Sequence, residues 1–147
     1  MDSVNNSVPI VFLPGRLIHA VLPTAAVEEI IVSKAFEPSS QSASLIIGKI
    51  LWRDSEVPVI ALDKHTEQGK NMEIKGEIIT IVKLPKSGDL VGIATVNTPQ
   101  HIVANDRNLV PNNSPHYLIP HTLHYVSING KPAIIPNLQQ LEEELLH

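Results

Sequence analysis

The feature that most constrains this chain is how its apolar residues are parcelled. Short runs of Ile, Val and Leu recur from end to end, each closed by proline, glycine or a polar cluster. Val8–Leu13 ends at Pro14-Gly15, a pair that favours a turn. Arg16–Leu22 ends at Pro23, and Val27–Val32 follows a short link. Runs this short and this β-branched suit strands, whose pleated surface accommodates branched side chains. Ala25–Ile31 has some helical propensity from Ala and Glu, but its brevity and Ile30-Ile31-Val32 favour a strand.

Ser33–Ser44, with Pro38 and several serines, reads as a loop. Leu45–Trp52, a turn at Arg53–Glu56 and Val57–Leu62 form a hairpin. Pro58 marks the second strand as an edge or an irregular start, because proline donates nothing to a ladder. Asp63–Lys75 is the clearest break, a polar loop or hinge between halves. Strands resume over Glu77–Leu84 and Leu90–Val96, around the turn Lys86-Ser87-Gly88-Asp89. Asn105–Ser114 reads as a further loop. Tyr125–Ile128 and Ala133–Ile135 flank Asn129-Gly130, the strongest two-residue hairpin signal. The tail changes period: Leu138, Leu141, Leu145 and Leu146 recur at helical spacing, with Asn137 as N-cap and Glu142–Glu144 on the polar side. About ten strands in two groups and one terminal helix make an all-β fold of barrel or sandwich type.

The 147 residues suit one domain, and a hydrophobic fraction of 43% is enough to build a core. A net charge of −4, no Lys/Arg cluster and few aromatics argue against nucleic acid, which needs clustered cations and stacking platforms. The absence of cysteine removes disulfides and thiolate chemistry, and fits a reducing compartment. The polar start Met1–Ser7 is unlike a signal peptide, and no apolar run approaches the ~18 residues that span a bilayer. A cytoplasmic chain, near-complete and without membrane insertion, is the expectation.

Ile47-Gly48-Lys49-Ile50-Leu51-Trp52-Arg53-Asp54-Ser55-Glu56-Val57-Pro58-Val59-Ile60-Ala61-Leu62 resembles the signature of the CheW family. There a glycine, an apolar strand, an arginine, a short turn and a Val-Pro-Val-Ile strand occur in that order. Leu22-Pro23 with Val27-Glu28-Glu29-Ile30, Leu90-Val91-Gly92-Ile93, and the hairpin Tyr125–Leu138 resemble further family segments, so the likeness runs from about Val8 to Leu145. The chain departs where the family has Asn-Leu-Arg-Gly and this sequence has Leu51-Trp52-Arg53-Asp54, and where an Asp is common and Ala61 stands. These departures suit a divergent member, such as one from a type IV pilus (twitching-motility) system.

The resemblance implies two five-stranded β-barrels sharing a core, placed at 7–63 with part of the C-terminal segment, and at 76–136, followed by a helix over 137–146. It implies a non-enzymatic adaptor without cofactor. Its partners would be the regulatory domain of a CheA-type histidine kinase and the cytoplasmic tip of a methyl-accepting chemoreceptor. Val27, Glu29 and Arg53 match the receptor-contacting positions, and Gly48 lies near the kinase-facing side.

Each candidate has a plainer account beside it. Arg53 is either a solvated charge at a strand end or, with Trp52, an interface anchor of the residue types enriched in hot spots. Val27 and Glu29 fall on one face of the same strand, as period two requires, though a valine is more often core than surface. His116, His121 and His124 have short spacing among seven histidines, but residues three apart on a strand point to opposite faces, and no HExxH or cysteine pair supports zinc. No Gly-x-Ser-x-Gly elbow or phosphate loop is present. The leucines of the terminal helix serve its own domain or a partner. Two rivals stay open: a binding module of this fold outside receptor–kinase arrays, and an enzyme with an unrecognised histidine site.

Overall fold

The computed structural model describes residues 7–32, 37–38, 45–65, 78–115 and 119–145. Among them are twelve strands: β1 (Val8–Leu13), β2 (Ala20–Pro23), β3 (Val27–Val32), β4 (Glu37–Pro38), β5 (Ile46–Trp52), β6 (Ser55–Ile60), β7 (Ile78–Lys83), β8 (Leu90–Thr95), β9 (Gln100–Ala104), β10 (Leu109–Pro111), β11 (Thr122–Ile128) and β12 (Lys131–Pro136). One helix, α1 (Leu138–Leu145), closes the chain as expected. Short 3-10 turns occupy Thr24–Ala26 and Leu62–His65.

Two six-stranded sheets result, ordered β10-β11-β12-β2-β1-β9 and β3-β7-β8-β6-β5-β4. In both, the two outermost strands are consecutive in sequence. β9 and β10 are joined by a tight turn in which Leu109 N donates to the Asn105 carbonyl at 3.0 Å, and only four residues separate β3 from β4. Each sheet therefore has its free edges tethered to one another.

Side-chain alternation explains the layering. Along β1, Val11 and Leu13 enter a core shared by both sheets, while Ile10 and Phe12 enter a cluster whose members all belong to the first sheet. The second sheet repeats this. Ile60, Val82, Val91 and Ile93 face the shared core, and Ile50, Val57, Val59, Ile79 and Ile81 enclose a cluster of their own. A sheet that buries its second face against itself has to curl, which is what strand twist and tethered edges permit. The expectation of an all-β fold, two five-stranded barrels sharing a core with a terminal helix, matches this arrangement in kind, with six strands rather than five in each sheet.

The expected division at the hinge does not match the strand pairing. The first sheet draws on residues 8–23 and 100–136, and the second on 27–95, because β9 pairs with β1 and β12 runs parallel to β2. The polar segment after Asp63 joins strands of one sheet, since β6 pairs in parallel with β8. β6 is thus interior rather than an edge. Its Pro58 is tolerated because pairing with β8 begins at Val59. β9 and β10 were not legible: β10 has three residues inside a polar stretch, and β9 exposes most of its side chains.

Buried carboxylates fasten the connections. Asp63 accepts from the backbone amides of Arg16 (3.2 Å), Leu17 (2.8 Å) and Ile18 (2.9 Å), fixing the β1–β2 crossing. A Cβ at Gly15 would lie 2.0 Å from the Ile18 carbonyl oxygen, so this crossing requires glycine. Asn137 caps α1, its Oδ1 accepting from Gln140 N at 3.1 Å. Leu141 reaches the shared core. Glu142, expected on the polar side, is buried instead: it accepts from Lys86 N (3.0 Å), Ser87 N (2.7 Å) and the Ser87 hydroxyl in the β7–β8 turn. Leu146 lies outside the described residues.

Candidate functional site

Arg53 and Asp54 form the two-residue turn between Trp52, the last residue of β5, and Ser55, the first of β6. Arg53 (φ 48°) and Asp54 (φ 66°) both take left-handed backbone without glycine. For Arg this costs on the order of 1 kcal/mol, while Asp tolerates it better. The conformation throws the Arg53 guanidinium back over the Trp52 indole, 4.5 Å from its centroid. From there one guanidinium nitrogen reaches Glu29 Oε1 on β3 at 3.3 Å. Because β3 is one edge of the second sheet and β5 lies beside the other edge, this contact spans the seam of the curled sheet.

Glu29 reaches that position because of a bulge. Val27 lies opposite Val82 and Glu29 opposite Ile81, so Glu28 is an extra residue and the alternation slips by one. Val27 and Glu29 therefore do not share a face. Val27 packs against the shared core, whereas Glu29 falls on the side of Ile31, which packs against the second sheet's own cluster together with Trp52. Gly48 is buried between Val59 on β6 and Pro38 on β4, next to a second irregularity in register. Four strand positions separate it from Trp52, about 13 Å at a strand's rise per residue.

Of the five candidates, the fold brings Trp52, Arg53 and Glu29 together, turns Val27 inward and leaves Gly48 apart. The pair is open to water, with side-chain exposures of 71% for Arg53 and 42% for Glu29. An ion pair in such surroundings is worth at most about 1 kcal/mol, so an incoming carboxylate can compete for the guanidinium. Leu51, 59% exposed on the outer face of β5, was not singled out from the sequence. Beside it Lys49 pairs with Glu56 at 3.0 Å across to β6. The missed signal was alternation: Lys49 and Leu51 share the face opposite Gly48 and Ile50.

The histidine readings are also resolved in part. His121 pairs through Nε2 with Glu144 of α1, and His124 is exposed on β11. His116 lies outside the described residues. Among those described, no group of three or more potential ligands gathers. A cavity of about 240 Å³ in the first sheet is walled by Leu17, Ile18, His19, Tyr125 and Ile134, and neither His121 nor His124 lines it. No described helix is long and apolar enough to cross a membrane.

Comparison with known proteins gives two findings. The family model described as CheW-like domain matches residues 10–145. Among solved structures, the chain is similar to the scaffolding protein TtCheW from Thermoanaerobacter tengcongensis, with a TM-score of 0.65, 21% identity, and 88% of each chain covered. At that identity the likeness speaks to the fold. No curated protein sequence matches.

Proposed function

Since this chain belongs to the CheW-like domain family, a family of non-enzymatic scaffolding domains, we propose that it couples a CheA-type histidine kinase to chemoreceptors. On this reading it works in the cytoplasm and without a cofactor. It joins the kinase's regulatory domain to the cytoplasmic tip of a methyl-accepting receptor. The observation that carries the reading is the solvent-open Glu29–Arg53 pair, two of the positions the family resemblance assigns to receptor contact, with Trp52 stacked under the guanidinium. A guanidinium stacked on indole offers directed donors beside an apolar plane, a pairing common in interface anchors. Gly48, on β5 between β4 and β6, lies on the side that the resemblance assigns to the kinase.

The departure at Leu51-Trp52-Arg53-Asp54 supports a second reading, a module of the same fold that recruits a partner outside receptor–kinase arrays, such as a pilus-control protein. Calorimetric titration against the regulatory region of a CheA-type kinase from the same cell separates the two. Saturable binding supports the coupling role. Absence of binding to every such kinase rejects it in favour of the other module.

A further inference from the structure

In the first sheet, β12 meets β2 along a short parallel seam. Ile134 lies opposite Ala20, and Ile134 N donates to the His19 carbonyl oxygen at 2.9 Å. This seam is what pairs the N-terminal hairpin with the C-terminal one. The His19 ring packs at its end, tilted 39° against Phe12 with centroids 5.2 Å apart, and forms one wall of the 240 Å³ cavity. Its Nδ1 is shut off from solvent and has no hydrogen-bond partner among the described residues.

Two charged groups bear on the ring. Lys131, from β12, repels a proton there; Asp63, from the turn after β6, attracts one. The Asp63 carboxylate is already engaged by the amides of Arg16, Leu17 and Ile18, and Lys131 sits over the Phe12 ring at 5.7 Å. Burial first, then Lys131, lowers the proton affinity of His19 below the ordinary histidine range, with Asp63 only partly opposing.

We propose that His19 makes the β2–β12 seam proton-sensitive: the neutral ring lets the seam close, and an imidazolium opens it. The charged ring would set a second cation near Lys131 and place a buried N–H where no acceptor stands. The sign follows from linkage. A histidine with lowered affinity in the closed form favours closure above its ordinary value of 6.5, and that preference is lost as pH falls below it. If only the open form binds the proton, the open fraction rises by at most about tenfold for each pH unit below 6.5.

The test is amide hydrogen exchange at pH 7.5, 6.5 and 5.5, expressed as protection relative to intrinsic exchange at each pH. Protection of the Ile134 amide is expected to fall by up to about fivefold between pH 6.5 and 5.5. The β7–β8 amides should keep theirs, and His19→Gln should flatten the response at Ile134. An equal fall across both sheets, or the same fall in His19→Gln, overturns the proposal. If His19→Gln does not fold, NMR titration of the His19 ring in the natural sequence decides. A midpoint below 6.5 together with loss of Ile134 protection that is not shared by the β7–β8 amides supports the proposal, and a midpoint at or above 6.5, or Ile134 protection unchanged across the titration, overturns it.

Discussion

Thr80→Val should stabilise this protein. Thr80 is fully buried in the middle of β7, opposite Ile30 on β3 and Ile93 on β8, on the strand face that presents Val82 to the shared core. Its hydroxyl has no hydrogen-bond partner among the described residues. Burying such a group without a partner costs about 1–3 kcal/mol on the scale of protein mutations. Valine has the same branched shape, keeps strand propensity and adds roughly 0.8 kcal/mol of methyl burial. With the hydroxyl's penalty at the low end of that range, a net gain of about 1–2 kcal/mol is expected. Urea unfolding followed by circular dichroism reads this directly: the midpoint should rise at unchanged m value. The melting temperature should rise by about 2–4 °C per kcal/mol for a chain of this size. A loss of stability of about 1 kcal/mol or more would show that the hydroxyl is satisfied in the folded protein, and would refute this reasoning.

Other changes probe the remaining joints. Leu141→Ala should cost about 2–5 kcal/mol by emptying the place where α1 enters the shared core, read as a lower urea midpoint. Gly92→Ala puts a methyl 2.7 Å from an Ile79 methyl, and should lower the melting temperature by the equivalent of about 1–3 kcal/mol. Glu142 is held below the usual carboxylate range, chiefly by the Ser87 hydroxyl and then by the Ser87 and Lys86 amides. Its contribution is therefore present above 4.5 and lost as pH falls through the lower folded value. Glu142→Gln should lower the melting temperature at neutral pH, with the difference from the natural sequence vanishing in acid.

The legible parts of the fold were those with local causes. Asn129 and Gly130 take φ of 51° and 81°, the geometry their pairing announces, and Asn137 caps α1 as its position suggests. The apolar runs of β1 and β7 were visible as well, though not that both of their faces would be buried. What could not be read depends on contacts far apart in sequence. Nothing near β12 reveals that it will lie beside β2, so the hinge after Asp63 looked like a boundary between barrels when it is a link within one sheet. Likewise a single bulge residue, Glu28, reverses the faces of Val27 and Glu29, and a period-two reading has no means of detecting it. Glu142 reads as a surface residue until the β7–β8 turn, more than fifty positions earlier, supplies its donors. The site was half legible: Arg53 and Trp52 are neighbours in sequence, but their meeting with Glu29 is made by the curl of the sheet.

The coupling role is tested most directly by reconstitution. A receptor cytoplasmic fragment is immobilised, and the retained kinase regulatory domain is measured with and without this protein. Retention that requires the natural protein is expected. Arg53→Ala should reduce it while leaving the melting temperature nearly unchanged, because the Arg53–Glu29 pair is exposed. Kinase retention that is the same with and without the protein, or unaffected by Arg53→Ala, would contradict the account.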